Sequence, residues 1–234
     1  MQIAGLVLAA GAGRRYGMPK ALVAYRGDLL VRRAAAVAQA AGLTPTLVVV
    51  GAQAGRVRAL APELTYVENP DWATGMASSL RAGLAALGAT PAQAAVVLLV
   101  DMPGVTSAAV RVTAAEARPD SLVMGGYEGR RGHPVVLGRE HWAGVAASAT
   151  GDRGARDYLR AHAAQVRVVP VGHLADDTDL DVPPDGSPPA FPPDGSPPAF
   201  PPDGSPPGFP AAGSPPRFPP ADLSDLSRGG GGHA

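Results

Sequence analysis

Short apolar segments alternate along most of the chain with longer, alanine-rich segments. Several of the short segments are apolar at consecutive positions, which is typical of strands that helices cover on both faces. The longer segments carry apolar residues at three- and four-residue spacing, which is typical of helices. The predicted strands are Ile3–Leu8, Thr46–Val50, Tyr66–Glu68, Ala94–Val100, Ser121–Met124, Pro134–Leu137 and Val166–Val171. The predicted helices are Leu29–Ala41, Gly75–Leu87, Ser107–Glu116 and Ala155–Ala163.

This alternation predicts an α/β fold. The expected architecture is Rossmann-like, with three α/β/α layers around an open, mostly parallel sheet. Ligands of such sheets bind beyond the carboxyl ends of the strands. We therefore look for chemistry in the residues that directly follow the predicted strands.

The pattern changes at Pro183, where a nine-residue repeat begins. PPDGSPPAF occurs twice, followed by PPDGSPPGF and a diverged PAAGSPPRF. Residues 183–234 hold 17 of the 26 prolines, and one large apolar residue per repeat cannot offset the entropy of ordering the backbone. We predict one folded domain over residues 1–182 and a disordered tail over 183–218. A proline-rich ligand role and a tolerated repeat expansion are both compatible with the tail, and the second is favoured.

Composition and charge exclude several classes of function. The chain has no cysteine, which excludes disulfides, thiolate nucleophiles and cysteine-ligated zinc. Residues 1–182 carry a net charge of +3, too small to bind long nucleic acid by counterion release. No run of about 20 apolar residues occurs, and no basic residue precedes the apolar start. We expect a soluble, cytoplasmic protein without a nucleic-acid or membrane partner.

A glycine- and arginine-rich loop, LAAGAGRRYGMPK, follows the first predicted strand. Gly11 and Gly13 let the backbone approach a ligand closely, so that consecutive N–H groups can point at phosphate oxygens. Arg15 can bind two such oxygens, and Lys20 supplies a compact charge. Lys20 is also the only lysine of the chain, beside 19 arginines, which favours a requirement for an ammonium group. The loop predicts a triphosphate site.

Two other glycine-rich nucleotide motifs do not fit this loop. The dinucleotide fingerprint G-x-G-x-x-G fails by one residue, because Tyr16 stands where the third glycine belongs. The Walker A motif requires Ser or Thr after its lysine, whereas Lys20 lies between Pro19 and Ala21.

The motif L-A-A-G-x-G-x-R-x-G-x-P-K resembles that of small NTP transferases, which attach a nucleoside monophosphate to a phosphorylated acceptor. The LAAG spelling is similar to that of molybdenum cofactor cytidylyltransferases, whereas guanylyl-transferring relatives more often read LAGG. The resemblance implies a fold like that of nucleotide-diphospho-sugar transferases, with CTP and a phosphorylated pterin as substrates. A molybdoenzyme or its maturation chaperone is the protein partner that it implies. The loop residues expected to bind nucleotide are Leu8, Ala9, Ala10, Gly11, Gly13, Arg15 and Lys20.

Asp101 is a candidate ligand of a Mg²⁺ ion. It directly follows a buried strand, at the sheet edge where a metal between phosphates needs a hard oxygen ligand. Its other possible role, as a helix cap, is less favoured because Ser107 is better placed to cap the next helix. The triplet Asp101-Met102-Pro103 also matches what the resemblance predicts here.

A second carboxylate is expected late in the chain. Residues 176–185 resemble the family's D-I-D-T-P-E-D-L motif, which makes Asp181 the expected second metal ligand. The sequence departs from this motif, because Val182 replaces the threonine and the helix-forming E-D-L is missing. Pro219–Leu223 resembles the displaced remainder. We hypothesise that the repeats were inserted inside the motif, so that residues 219–234 hold a displaced terminal helix and a glycine-rich end.

The resemblance also implies a base site and an acceptor site. It places Gly75 and Ser79 near the base, although Ser78 and Thr74 are equally candidates for helix caps. Trp72 is more typical of a packing residue than of a stacking platform. On the acceptor side it implies His133, in a G-H-P triplet before a strand, together with the phosphate-neutralising arginines Arg130, Arg131, Arg153 and Arg156.

The predicted reaction is attack by the acceptor's terminal phosphate on the α-phosphorus of CTP, with release of pyrophosphate. A phosphate monoester has a second pKa of about 6, so the nucleophile is ionised at neutral pH and no general base is required. Arg15, Lys20 and Asp101 are the predicted catalytic residues, acting through positioning and charge. Four alternatives stay open: a guanylyltransferase, a sugar-1-phosphate nucleotidyltransferase, a non-catalytic nucleotide-binding regulator, and an interaction protein that works through its repeats.

Overall fold

The structure is a computed structural model, and it describes residues 1–180. The strands are β1 (Ile3–Leu8), β2 (Ala24–Tyr25), β3 (Asp28–Leu29), β4 (Thr46–Val50), β5 (Tyr66–Glu68), β6 (Ala94–Leu99), β7 (Leu122–Tyr127), β8 (Arg130–Gly138) and β9 (Val166–Pro170). The helices are α1 (Leu30–Ala40), α2 (Ala54–Leu60), α3 (Met76–Gly88), α4 (Ser107–Ala114), α5 (Trp142–Ser148) and α6 (Arg156–Ala161). Single turns of 3-10 helix cover Lys20–Leu22, Trp72–Thr74, Arg139–His141 and Gly151–Arg153.

Seven of the strands form one sheet in the order β5-β4-β1-β6-β8-β7-β9. β8 runs antiparallel to both of its neighbours, and the other pairings are parallel. The prediction of an open, mostly parallel sheet is therefore confirmed. β1 and β6 are neighbours in register, with Leu8 opposite Leu99. The loop after β1 and the residues after β6 consequently meet at one edge of the sheet.

Helices cover both faces of the sheet, which explains the consecutive apolar residues of the central strands. Val7 belongs to a core that also holds residues of α1, α2 and α4. Its neighbours Leu6 and Leu8 belong to a second core, which holds residues of α3, α5 and α6. Alternate side chains of one strand thus stabilise two layers of helices.

Several predicted elements need correction. β8 begins at Arg130 and not at Pro134, because a hairpin turn at Glu128 and Gly129, both with positive φ, pairs Arg130 with Tyr127. His133 therefore lies within a strand and not before one. The short elements α2, α5 and the β2–β3 pair were not predicted. α2 and α5 are seven residues each, too short for a clear helical period.

The cap of α4 was also wrongly predicted. Thr106 and not Ser107 is the N-cap, and its side-chain oxygen accepts a hydrogen bond from the Ala109 N–H at 3.2 Å. The correction leaves Asp101 without a capping role at this helix, as expected.

No helix among residues 1–180 is long and apolar enough to cross a membrane. The predicted disordered tail, the displaced terminal helix and the proposed ligand Asp181 all lie outside the described residues.

Candidate functional site

The loop after β1 is closed by contacts that require glycine. Gly13 has a φ of +60°, and a Cβ atom there would lie 1.9 Å from the carbonyl oxygen of Met18. The Gly17 N–H donates to the Gly13 carbonyl oxygen at 2.9 Å. Tyr16 and Met18 are buried in the core and anchor the loop. Residues 11–15, which precede these anchors, line a cavity at the sheet edge.

This loop forms one wall of a cavity of about 520 Å³. The cavity also contains the turn before α3 and the residues after β6. Nearly all the residues expected to bind nucleotide line it, namely Leu8, Ala10, Gly11, Gly13, Arg15, Lys20, Gly75 and Ser79. The expected metal ligand Asp101 lines it as well. Ala9 is the exception, because it is 2% exposed, belongs to the core, and donates its N–H to the Val49 carbonyl oxygen.

Lys20 and Asp101 form an ion pair at the floor of this cavity. The Lys20 Nζ donates to the Asp101 Oδ2 at 2.8 Å, and the two side chains are 14% and 23% exposed. Lys20 begins a 3-10 turn whose next residues, Ala21 and Leu22, are buried. The turn thus holds the ammonium group in the site.

The last described residues pass beside Asp101. The Leu180 N–H donates to the Asp101 carbonyl oxygen at 2.9 Å, and the Asp176 N–H donates to the Gly104 carbonyl oxygen at 3.1 Å. Asp179, between these two anchors, lines the same cavity as Asp101. Carboxylate oxygens are the donors that Mg²⁺ and Mn²⁺ prefer, so the residues present fit a divalent cation.

A buried polar cluster lies behind the proposed base site. The Asn69 side-chain amide donates to the Ser78 Oγ at 2.8 Å and to the Ser79 Oγ at 3.0 Å. Ser79 is 4% exposed. Ser78 in turn donates to the Gly75 carbonyl oxygen at 2.8 Å. The cluster fixes the first turn of α3 at the wall of the cavity formed by the glycine-rich loop.

Neither Ser78 nor Thr74 caps α3. Its N-cap is Gly75, and the Met76 N–H instead donates to the Asp152 Oδ1 at 3.2 Å. Gly75 has a φ of +111°, and a Cβ atom there would lie 2.5 Å from the Gly151 carbonyl carbon. Arg81 Nη1 donates to the Ala149 carbonyl oxygen at 2.7 Å. The loop before α6 is therefore held against the start of α3.

A second cavity, of about 670 Å³, adjoins the first. Its apolar walls come from the strands and from α3 and α6, and its rim is rich in arginine. The charged and imidazole side chains that line it are Arg130, Arg131, His133, Asp152, Arg153, Arg156, Arg160, Asp177 and Asp179. The residues expected to contact the acceptor, His133, Arg153 and Arg156, are among them. Leu8, Met76, Leu99, Asp152 and Asp179 line both cavities.

His133 is an uncharged group in this cavity at neutral pH. Burial lowers the pKa of its imidazole, outweighing the hydrogen bond to Val97 and the charge of Asp101, which raise it. Its Nδ1 lies 3.1 Å from the Val97 carbonyl oxygen. A carbonyl oxygen only accepts, so Nδ1 carries the proton and Nε2 is the acceptor.

Three of the cavity's arginines already have acidic partners: Arg130, Arg153 and also Arg160, whose Nη1 lies 3.8 Å from the Asp157 Oδ1. Arg130 donates through both Nη atoms to Asp177, at 3.0 and 3.1 Å. Arg153 Nε lies 3.1 Å from the Asp157 Oδ2. Arg130 is the first residue of β8. Its bonds to Asp177 therefore connect the final described segment to that strand.

Tyr127 completes this side of the site. Its hydroxyl donates to the His133 carbonyl oxygen, and burial together with Asp177 and Asp176 raises the pKa of Tyr127 to about 12. Hydrogen bonds from the Thr178 hydroxyl and backbone lower the pKa of Asp176. The tyrosine stays protonated and keeps its hydrogen bond over the physiological pH range.

A family model matches most of the described chain. The model of the MobA-like NTP transferase domain matches residues 5–166. The chain belongs to this family. The match spans the glycine-rich loop, the Lys20–Asp101 ion pair and the loop before α6 of this MobA-like NTP transferase.

Individual relatives agree with this assignment. The chain is 37% identical over 189 residues to nicotine blue oxidoreductase of Paenarthrobacter nicotinovorans, across 76% of this chain and 92% of that protein. The crystal structure of Rv0371c from Mycobacterium tuberculosis H37Rv matches with a TM-score of 0.68 and 30% identity, across 78% of this chain and 93% of that one. A structure of Rv0371c in complex with manganese matches with a TM-score of 0.64 and 28% identity, across 76% and 94%.

No role was predicted from the sequence for Asn69, Asp152, Arg160 and Asp177. Asn69 and Asp152 fix the start of α3, and Asp177 and Arg160 line the second cavity. Asn69 directly follows β5, so its place at a strand's carboxyl end was visible in the sequence. The contact of Asp152 spans 76 residues and has no local pattern.

Proposed function

We propose that this MobA-like NTP transferase transfers CMP from CTP to the terminal phosphate of molybdopterin and releases pyrophosphate. The observation that carries the proposal is the pair of adjoining cavities, one formed by the glycine-rich loop with its single lysine and the other rimmed by arginine. A reaction that joins two phosphorylated compounds requires two anion sites that share a wall.

The nucleotide side supplies positive charge where negative charge develops. In this reaction Arg15 binds the leaving pyrophosphate and Lys20 the α-phosphate, while the backbone of the glycine-rich loop cradles the other oxygens. Asp101 and Asp181 are the proposed ligands of Mg²⁺, which when bound neutralises phosphate charge. The manganese complex of Rv0371c supports the use of a divalent cation.

The acceptor side suits a flat heteroaromatic ring system that carries a phosphate. Val97, Leu99 and Met124 provide apolar wall, and Arg153 and Arg156 provide charge at the rim. The uncharged His133 offers Nε2 as a hydrogen-bond acceptor to ring N–H groups of such a compound. The attacking phosphate is already ionised, so the reaction needs no general base from the protein.

The choice of CTP rests on the LAAG spelling of the loop and on the short groups at the start of α3. Ser79, held by Asn69, and Gly75 leave room for a base edge near the backbone of α3. GTP with another phosphorylated acceptor is the principal alternative. We further propose a cytoplasmic location, with delivery of the product to a molybdoenzyme or its maturation chaperone.

Pyrophosphate release tests the proposal. The full-length protein is incubated with Mg²⁺ or Mn²⁺, molybdopterin and each of the four NTPs in turn. We expect release with CTP that depends on molybdopterin. Release with GTP instead would change the base assignment, and binding of NTPs without any release would favour a regulator over an enzyme.

A second candidate function comes from the name of one relative. The Paenarthrobacter nicotinovorans protein is named an oxidoreductase and shares 37% identity with this chain. A parallel incubation with NADH or NADPH and an oxidised aromatic dye would detect that activity, because oxidation of the nicotinamide changes its absorbance. We favour nucleotidyl transfer, because the loop lacks the spacing of the dinucleotide fingerprint.

A further inference from the structure

The ammonium group of Lys20 bonds the carboxylate that the proposed function assigns to the metal. The Nζ–Oδ2 distance is 2.8 Å, and both side chains are mostly shielded from water. A cation that approaches Asp101 from solution must displace this ammonium or lie beside it. Like charges repel strongly at such short range, more so where solvent screening is reduced.

The described part of the site also lacks a complete set of protein ligands. Within residues 1–180, no three His, Cys, Asp or Glu side chains cluster so that they could hold a metal ion. Asp101 and Asp179 line the nucleotide cavity. Sites with one or two carboxylates usually complete the metal's coordination with substrate phosphates and water.

We propose that the Lys20–Asp101 ion pair blocks the metal site until a nucleotide arrives, so that the cation is bound together with the triphosphate and not before it. The inference rests on the proposed function. A triphosphate offers anionic oxygens to Lys20 and ligands to the cation at the same time. The pair can then separate without leaving either charge uncompensated.

This arrangement predicts reciprocal coupling between the two ligands. Nucleotide increases the affinity for the cation, and the cation increases the affinity for nucleotide by the same factor. It also predicts that a substitution at a phosphate-binding residue improves metal binding. Lys20→Met keeps the length of the side chain and removes its charge, so Asp101 no longer has to exchange an ammonium for the metal.

The test is a titration of the full-length protein with Mn²⁺, with free Mn²⁺ followed by electron paramagnetic resonance, with and without CTP. We expect Lys20→Met and Lys20→Gln to bind Mn²⁺ alone roughly 10-fold more tightly than the wild type, and CTP to enhance their Mn²⁺ affinity less. Arg14→Met is the matched control, because it removes one positive charge from the same cavity but not from the ion pair. The double variant Lys20→Met, Asp101→Asn is expected to lose the gain.

Two results would overturn the inference: Lys20→Met and Lys20→Gln variants that fold but bind Mn²⁺ no more tightly than the wild type, or an equal gain in Arg14→Met. Pyrophosphate release by the wild type separates this outcome from a failure of the proposed function. Pyrophosphate release without a gain of Mn²⁺ affinity in Lys20→Met would support the proposed function and reject the blocked metal site. A gain of Mn²⁺ affinity in Lys20→Met without any pyrophosphate release would support the blocked metal site and reject the proposed function.

Discussion

For single residues such as Lys20 and Asp101, the sequence revealed the chemical role but not the partner. Each was identifiable alone, Lys20 as the only lysine at the end of a glycine-rich loop and Asp101 as the acid after a buried strand. Their ion pair was not predicted, because they are 81 residues apart. It depends on β1 and β6 being neighbours in the sheet. Residue type and local position were predictable, and partners across the fold were not.

In the proposed reaction, Lys20→Ala removes a positive charge beside the α-phosphate, and Asp101→Ala removes a ligand of the metal. We expect each to lower the rate of pyrophosphate release by a factor on the order of 10²–10³. Thermal melting checks that the variants fold. Arg111→Ala, on exposed α4 surface far from the phosphate loop in sequence, serves as the charge-matched control. Near-wild-type turnover of Lys20→Ala would refute its catalytic role.

His133 makes stability depend on pH in a definite direction. Its pKa in the folded protein is below the ordinary value of about 6.5, so the unfolded chain binds its proton first as the pH falls. The contribution of the neutral imidazole to stability is present above pH 6.5 and is lost as the pH drops below that value. The free energy of unfolding then falls by up to about 1.4 kcal/mol per pH unit.

Denaturant unfolding between pH 7.5 and 5 measures this effect, over a range set about the ordinary histidine pKa. We expect His133→Asn to flatten the dependence below pH 6.5. The exposed His173→Asn is the control, for which the slope should stay that of the wild type. An unchanged slope in His133→Asn would mean that the imidazole is not held neutral by its surroundings.

At the scale of elements, length decided what could be predicted. The long central strands and α1 and α3 were located to within a residue or two, because their apolar patterns are extended. β8 was predicted too short, since its first residues, RRGH, are polar or glycine and resemble a loop. Their strand conformation comes from pairing with β7 across the hairpin. This pairing places His133 in the wall of the acceptor-side cavity.

Asp152 links two elements that the sequence gives no reason to join. Asp152→Ala removes the oxygen that accepts from the first N–H group of α3, and we expect it to lower stability by about 1 kcal/mol or less, because the contact is exposed. Asp152→Asn keeps an accepting oxygen and should recover most of the loss. Asp157→Ala removes a nearby acid in the first turn of α6, one that pairs with Arg153. If it lowers the melting temperature as much as Asp152→Ala, the cap is not the cause.

For the molecule as a whole, alternation of strands and helices was enough to predict the sheet type but not the strand order. Register and order follow from packing of both faces, which no single segment encodes. The end of the described chain still belongs to the domain, because Leu174, Ala175 and Leu180 pack against the core. The domain prediction to residue 182 and the separate tail stay predictions.

Removal of the repeats tests the hypothesis of an inserted expansion. Deleting residues 183–218 joins Val182 directly to Pro219 and restores the late motif. We expect pyrophosphate release and the thermal midpoint to stay near those of the wild type. A chain ending at Val182 lacks the motif's remainder and should melt at a lower temperature. A strong loss of activity or stability in the internal deletion would contradict the hypothesis.

The wall shared by the two cavities also governs how a catalytic cycle would close. Leu8, Leu99 and Asp179 border both compartments. The product of nucleotidyl transfer would therefore keep the protein contacts that each half made before the bond formed. Two tethered halves dissociate far less readily than either fragment alone. Release of the dinucleotide-like product would then limit the rate of turnover, and product analogues that span both compartments would be the strongest inhibitors.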